Sequence, residues 1–380
     1  MKKTNDIFAC KLLFFIMAFS IGLWTIRIPT IRDQVQTDYL GIGYIMATFA
    51  IGSIIAMLSA NTIVVKTSSK NLLLYVIFTQ WLLWLPVPFV KDLVAFMFLA
   101  FIFGLCFGFF EICINLQASK IENRENKSMM SGFHAFWSLG VLVGSFLTSI
   151  FLQFDISILI NILIYVIILL PINLYFCFRL KEDEKTLPTN KKNIFFIWPI
   201  LFFLLVIIAI ANAITEGSVD SWGALYMNDF IKVKGFQIGI ATISFNIFMF
   251  IGRLCGDRFR DKLGIYILFT VSMLLTILSL SILINFNSIL ASILGFGLLG
   301  IGASSIIPMA YSMASKTKGI DSGVGITIIS VAVYGTFIGA PASLGLVANL
   351  YGVNNIFTPI LIFFILLLIP MRIFKKEFKL

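Results

Sequence analysis

Apolar runs of membrane-crossing length alternate with short polar breaks along most of this chain, and that alternation excludes most folds. The runs lie at about residues 8–26, 40–60, 71–90, 93–117, 132–153, 158–178, 194–215, 236–256, 265–284, 288–313, 323–349 and 355–372. A helix crossing the hydrocarbon layer takes roughly 20 apolar residues, and each of the twelve runs is long enough. The other spanning solution, a closed barrel, needs short strands of alternating polarity, which do not occur here. A soluble domain is excluded as well, since 59% of the residues are hydrophobic, 40 of them Phe, and 12% are charged. The expected fold class is an all-α polytopic membrane protein with twelve transmembrane helices.

An even number of spans puts both termini on one side. If that side is the cytosol, 23 of the 28 Lys and Arg residues fall in inner segments, leaving Arg27, Arg32, Lys91, Lys232 and Lys234 outside. Basic residues collect in cytosolic loops, so both termini are expected in the cytosol. The same bias accounts for the net charge of +10, so no nucleic-acid partner is implied. The five Cys residues lie in or beside apolar runs without a C-x-x-C pair, as small core residues do. Lys2 and Lys3 precede the first run as in a signal peptide, but no small-residue cleavage site follows, so the run reads as a retained span.

The longest polar stretch, Arg179–Asn193, separates spans six and seven. It divides the chain into an N-terminal six-helix bundle (1–178), a cytosolic linker (179–193) and a C-terminal six-helix bundle (194–380). The halves repeat weakly. At an offset of 196 residues Ala56, Ala60, Asn61 and Lys66 fall on Gly252, Gly256, Asp257 and Lys262; at 195, Gly140 and Gly144 fall on Gly335 and Gly339.

Charged side chains inside a span cost about 2.5–3.5 kcal/mol at its centre, so each needs a reason. Glu111, late in span four, shares a helix face with Asn115 four residues on. A buried carboxyl is suited to taking and releasing a proton; the other reading is a structural acid paired with a base. His134, the only histidine, and Ser138 open span five in S-G-F-H-A-F-W-S-L-G. A lone His cannot supply the ligands of a zinc site, and neither metal nor cofactor is expected. Trp24 and Arg27 read as the end of span one, where Arg27 either snorkels outward or borders a vestibule with Trp24. Glu216, Asp220 and Trp222 follow span seven in T-E-G-S-V-D-S-W; they either recognise a polar solute at a mouth or anchor the interface. Gly140 and Gly144 in span five, and Gly335 and Gly339 in span eleven, are spaced for close helix packing. Pro341 permits a bend.

Between spans eight and nine the chain reads G-R-L-C-G-D-R-F-R-D-K-L-G from Gly252 to Gly264. Gly252, Arg253, Gly256, Asp257, Arg258 and Gly264 resemble the signature loop of the major facilitator superfamily, G-x-L-x-D-R-x-G-R-R. The first-half counterpart has Asn61 and Thr62 at the acid and base positions. The resemblance implies two pseudo-symmetric six-helix bundles rocking about a central site, with this loop as a gating element. By that symmetry Asp257 is expected to face the start of span five near Ser131 and Gly132. Glu111 with Asn115 resembles the span-four acid and Asn of sugar:proton symporters of the fucose permease type, although span one lacks their membrane acid. The passage from Glu111 to Gly140, and the E-G-x-x-x-x-W passage at Glu216, are similar to a bacterial inner-membrane branch of the superfamily.

These readings imply a monomeric secondary transporter in the lipid bilayer. It moves a small polar solute, sugar-like or another metabolite, coupled to protons through Glu111, and has no enzymatic activity. The alternatives are efflux of amphipathic compounds, such as a drug or siderophore, and a non-transporting membrane sensor.

Overall fold

The computed structural model describes residues 4–125, 129–181, 199–314, 317 and 322–378. Among these it contains thirteen α-helices and no strand: α1 (Thr4–Val35), α2 (Tyr39–Thr67), α3 (Ser69–Leu83), α4 (Leu93–Glu125), α5 (Met130–Gln153), α6 (Ile158–Arg179), α7 (Ile200–Leu225), α8 (Ile240–Leu263), α9 (Ile265–Asn285), α10 (Ile289–Ser304), α11 (Ile306–Ala314), α12 (Ser322–Tyr351) and α13 (Phe357–Ile373). They provide twelve apolar segments of membrane-spanning length, because α10 and α11 share one of them. Pro308 explains that break. It has no N–H to give the Ser304 carbonyl and its ring crowds that carbonyl, so the helix stops at Ser304 and restarts after Ser305.

Local chemistry sets several helix starts. The side chains of Asp38, Ser157 and Ser288 accept hydrogen bonds from the N–H groups of Gly41, Ile160 and Ala291, satisfying donors that a helix start leaves orphaned. At the start of α5 the Glu122 carboxylate takes over this role and accepts from the Met129 N–H at 2.5 Å.

The chain folds into two compact units, Met1–Thr189 with Lys234–Phe236, and Asn190–Val233 with Gln237–Leu380. In the first, α1 packs on α5 and α2 on α4; in the second, α8 packs on α10 and α7 on α12. Glycines permit the close approaches. A Cβ at Gly140 or Gly144 would strike the backbone carbonyl of Phe15 or Phe19, and one at Gly22 would lie 2.6 Å from the Val141 carbonyl. At Gly335 and Gly339, by contrast, an added Cβ meets nothing within 4 Å and both glycines are exposed, so the expected tight packing is absent there.

The 196-residue repeat reappears in three dimensions. Gly104 packs on the carbonyl of Phe49, and Gly300, 196 residues later, packs on that of Phe245, 196 residues after Phe49. The turns ending α2 and α8 match too. Ser68 (φ 75°, ψ 152°) donates its N–H to Val64, and Gly264 (φ 78°, ψ 158°) donates its own to Arg260. That left-handed backbone suits Gly264, whereas Ser68 adopts it against the usual preference.

Three segment ends differ from the sequence reading. α1 continues through Pro29 to Val35, so Trp24 and Arg27 lie inside it. α7 continues to Leu225 and through a π-helical turn at Tyr226–Phe230, so Glu216, Asp220 and Trp222 are intrahelical and not at a mouth. The Gly252–Gly264 stretch is the second half of α8, with the turn confined to Gly264. In each case polar residues lower the local hydropathy while the helical hydrogen bonds run on; Arg27 finds Asn161 and the Ile156 carbonyl, and Glu216 finds Asn212 and Arg253.

Candidate functional site

Helix α7 of the second unit carries two acids, Glu216 and Asp220. Asn212, Glu216 and Asp220 follow one another at four-residue intervals along α7 and so share a face. The Asn212 amide nitrogen donates to Glu216 Oε1 at 2.7 Å, and Arg253, near the middle of α8, brings its guanidinium to 3.5 Å from Glu216 Oε2. The side chains of Glu216 and Arg253 are each 22% exposed. Asp220, half-buried one turn on, has no hydrogen bond or ion pair among the described residues. Asn212 is fully buried and its Oδ1 has no hydrogen-bond partner among the described residues. On α8, Asn246 and Thr242 are also buried.

Trp222, fully buried, joins Gly217, Ser221, Phe337 and Pro341 around a small groove between α7 and α12. Gly252 and Gly256 face the α10–α11 break, where a Cβ would crowd Ser304 and Ser305. The side chains of Asp257, Arg258 and Ser131 fall outside the described residues, and with them the expected contact of Asp257 near Gly132.

In the first unit Glu111 is 6% exposed within α4, and the Asn115 amide donates to its Oε1 at 3.0 Å and to its backbone carbonyl at 2.8 Å. A charge-bearing group held by a neutral amide can change protonation without losing its neighbour, because the amide offers both a donor and an acceptor. His134 is half-buried at the start of α5, set edge-on to the Phe14 ring of α1 at 5.4 Å. Ser138 lies one turn on, its hydroxyl 3.5 Å from the His134 carbonyl.

Arg27 is not at a surface. It is 3% exposed, with Nε donating to Asn161 Oδ1 at 3.1 Å and NH2 to the Ile156 carbonyl at 2.7 Å. These bonds replace the hydration that the snorkelling reading assumed. Trp24 packs on the Phe96 ring at 6.3 Å. A second polar clasp lies at the other end of the unit: Arg124 NH1 meets Asp6 Oδ2 at 2.7 Å, and Lys181 approaches the same oxygen at 3.9 Å. The hydrogen bond to Asp6 holds the Arg124 guanidinium above its ordinary pKa.

Sequence reading did not assign Asn212, Asn246 or Asn161, and placed Arg253 in a gate instead of beside an acid. The available signal was spacing, since Asn212 precedes Glu216 by four residues as Glu111 precedes Asn115.

Relatives with known names share this architecture. The chain is 25% identical to an uncharacterized MFS-type transporter of Yersinia pestis, across 91% of this chain and 90% of that one. It is 24% identical to the membrane protein MosC of Rhizobium meliloti, across 93% and 86%. Among solved structures, the nucleoside transporter NupG superposes with a TM-score of 0.73 at 16% identity, covering 99% of this chain and all of the other. The human organic anion transporter MFSD10 superposes with a TM-score of 0.64 at 12% identity, covering 96% and 99%. The family model for the Major Facilitator Superfamily matches residues 11–235, more than half of the sequence, and the chain belongs to that superfamily.

Proposed function

We propose that this protein is a secondary active transporter that moves a small polar solute, sugar-like or another metabolite, by alternating access and couples the movement to protons through Glu111. The observation that carries this reading is the burial of the Glu111 carboxyl inside α4 with Asn115 as a hydrogen-bonding neighbour. An ionisable residue at such depth marks an ion or substrate path more often than a structural need. The superfamily membership, and the nucleoside and organic anion transporters that share the fold, support transport of a small solute. His134, Ser138, Trp222 and the Gly252–Gly264 segment are the candidate cavity and gating residues. Arg27 is buried and Trp24 is half-buried against the Phe96 ring, which makes them supporting residues in this reading. The basic residues favour a topology with both termini in the cytosol, and the reading takes the protein as a monomer in the bacterial cytoplasmic membrane.

The test follows the pH inside sealed proteoliposomes while fractions of a metabolite extract are added. A fraction that moves protons with the parent protein and not with Glu111→Gln supports coupling through this carboxyl. Labelled solute exchange without any proton movement would assign Glu111 a structural role and the protein a uniport or exchange mode.

A further inference from the structure

Charge bookkeeping in the second unit leads to a second proton. Apart from Asp229 and Arg372 near span ends, the membrane-spanning segments of this unit contain three charged residues, Glu216, Asp220 and Arg253. Two acids and one base leave a surplus negative charge in a low-dielectric interior, where an unbalanced charge is costly. We propose that the carboxyl pair Glu216 and Asp220 holds one exchangeable proton, making α7 a proton-binding site distinct from Glu111. The proposal deepens the proton-coupled reading above and rests on it for its functional meaning, though not for its test.

The geometry also says where the proton resides. Glu216 has both the Asn212 amide and the Arg253 guanidinium directed at its oxygens, and those donors favour its carboxylate form. Asp220 receives no hydrogen bond from any described residue, so a charge there is compensated less directly than one on Glu216 and the proton rests on it. Asn212 supplies the second position. Its Oδ1 is buried and without a hydrogen-bond partner among the described residues. If the amide turns over, that oxygen accepts the O–H of a protonated Glu216. The proton then passes between Asp220 and Glu216 with the net charge unchanged, and leaves as a hydron when Asp220 gives it to solvent.

The elements packed on α7 add no competing acid within the membrane. Beside Arg253, α8 carries charge only in the stretch after Gly256. The π-helical turn carries Asp229, bonded by the Asn228 amide at 2.6 Å. α12 carries Tyr334, α11 carries Tyr311 and α13 carries Arg372 near its end.

Infrared difference spectroscopy on the reconstituted protein at neutral pH, without solute, reads protonated carboxyls directly from their C=O stretching band. A Glu111→Gln background removes any contribution from that residue. The expected count is one protonated carboxyl in this background. It falls to none in Asp220→Asn and in Glu216→Gln, because either change leaves one acid balanced by Arg253, and it rises to two in Arg253→Gln. Asp220→Glu keeps the band and serves as the folding control. A band that survives both Asp220→Asn and Glu216→Gln would overturn the proposal, and so would a band absent from the background protein. Because the measurement is made at equilibrium, a failure of proton-linked transport leaves the spectroscopic outcome separately readable.

Discussion

The guanidinium of Arg27 is held by the amide oxygen of Asn161, 3.1 Å away on α6, while its other arm reaches the carbonyl of Ile156 at 2.7 Å. Ile156 belongs to the turn between α5 and α6, where Asp155 sits at φ 51°. One cation therefore ties α1, α6 and that turn together, using neutral oxygens. Among the described residues no carboxylate shares the task, so the bonds themselves keep the charge solvated. Replacing Asn161 with Ala should cost about 2 kcal/mol, the loss of a buried hydrogen bond to a charged group. The thermal unfolding midpoint of the detergent-solubilised protein reads this directly. An unchanged midpoint would show that Arg27 has another source of compensation.

Close packing of α1 on α5 gives the second prediction. Gly140→Leu and Gly144→Leu put side chains into the backbone of Phe15 and Phe19, which cannot yield as a flexible side chain can. Both should sharply reduce the yield of folded monodisperse protein on size-exclusion chromatography. Gly335→Ala and Gly339→Ala meet no neighbour and should leave that yield within experimental scatter.

The clasp between Asp6 and Arg124 joins the first turn of α1 to the last turn of α4. Asp6 is 3% exposed and Arg124 is 31% exposed, so removing the acid leaves a cation that water can still reach. Asp6→Asn should therefore cost about 1 kcal/mol, toward the low end for a hydrogen bond to a charged group. Because its bond to Asp6 raises the Arg124 pKa, Arg124 stays charged across the accessible pH range, and raising pH to 9 should not reproduce the effect of the mutation. Hydrogen exchange at the start of α1 is the measurement, read as protection factors so that the base-catalysed rise of intrinsic exchange is divided out; protection should fall in Asp6→Asn and hold in the parent at high pH.

How much of this was legible in the sequence depended on the scale of the feature. Twelve spans emerged because about 20 consecutive apolar residues admit few other readings. The 196-residue repeat emerged from a few common residues at the ends of span two and span eight, and its best expression, Gly104 on Phe49 beside Gly300 on Phe245, involves positions that no motif marks. Helix ends near Arg27 and Glu216 were misplaced for a shared reason. Hydropathy treats a polar side chain as an exit from the membrane, while Asn161 on α6 and Arg253 on α8, far away in sequence, supply the partners that let the helix continue. Long-range partners of this sort leave no local trace.

The groove between α7 and α12 tests whether Gly217 is a packing glycine. A Cβ at Gly217 would lie 2.7 Å from Cε1 of Phe337, and its three nearest atoms all belong to that ring. Gly217→Ala must therefore push the Phe337 ring away, which costs about 1–3 kcal/mol if the ring has no second position. Phe337→Leu removes the ring edge and leaves a partly empty groove at a cost of its own. If the two residues interact only with each other, the double variant should recover about 1 kcal/mol relative to the sum of the single changes, the coupling expected for residues in contact. Thermal unfolding midpoints of the four proteins close the cycle. Strict additivity would mean that the ring already has room to move, and that the groove beside Trp222 and Pro341 can open without strain at Gly217.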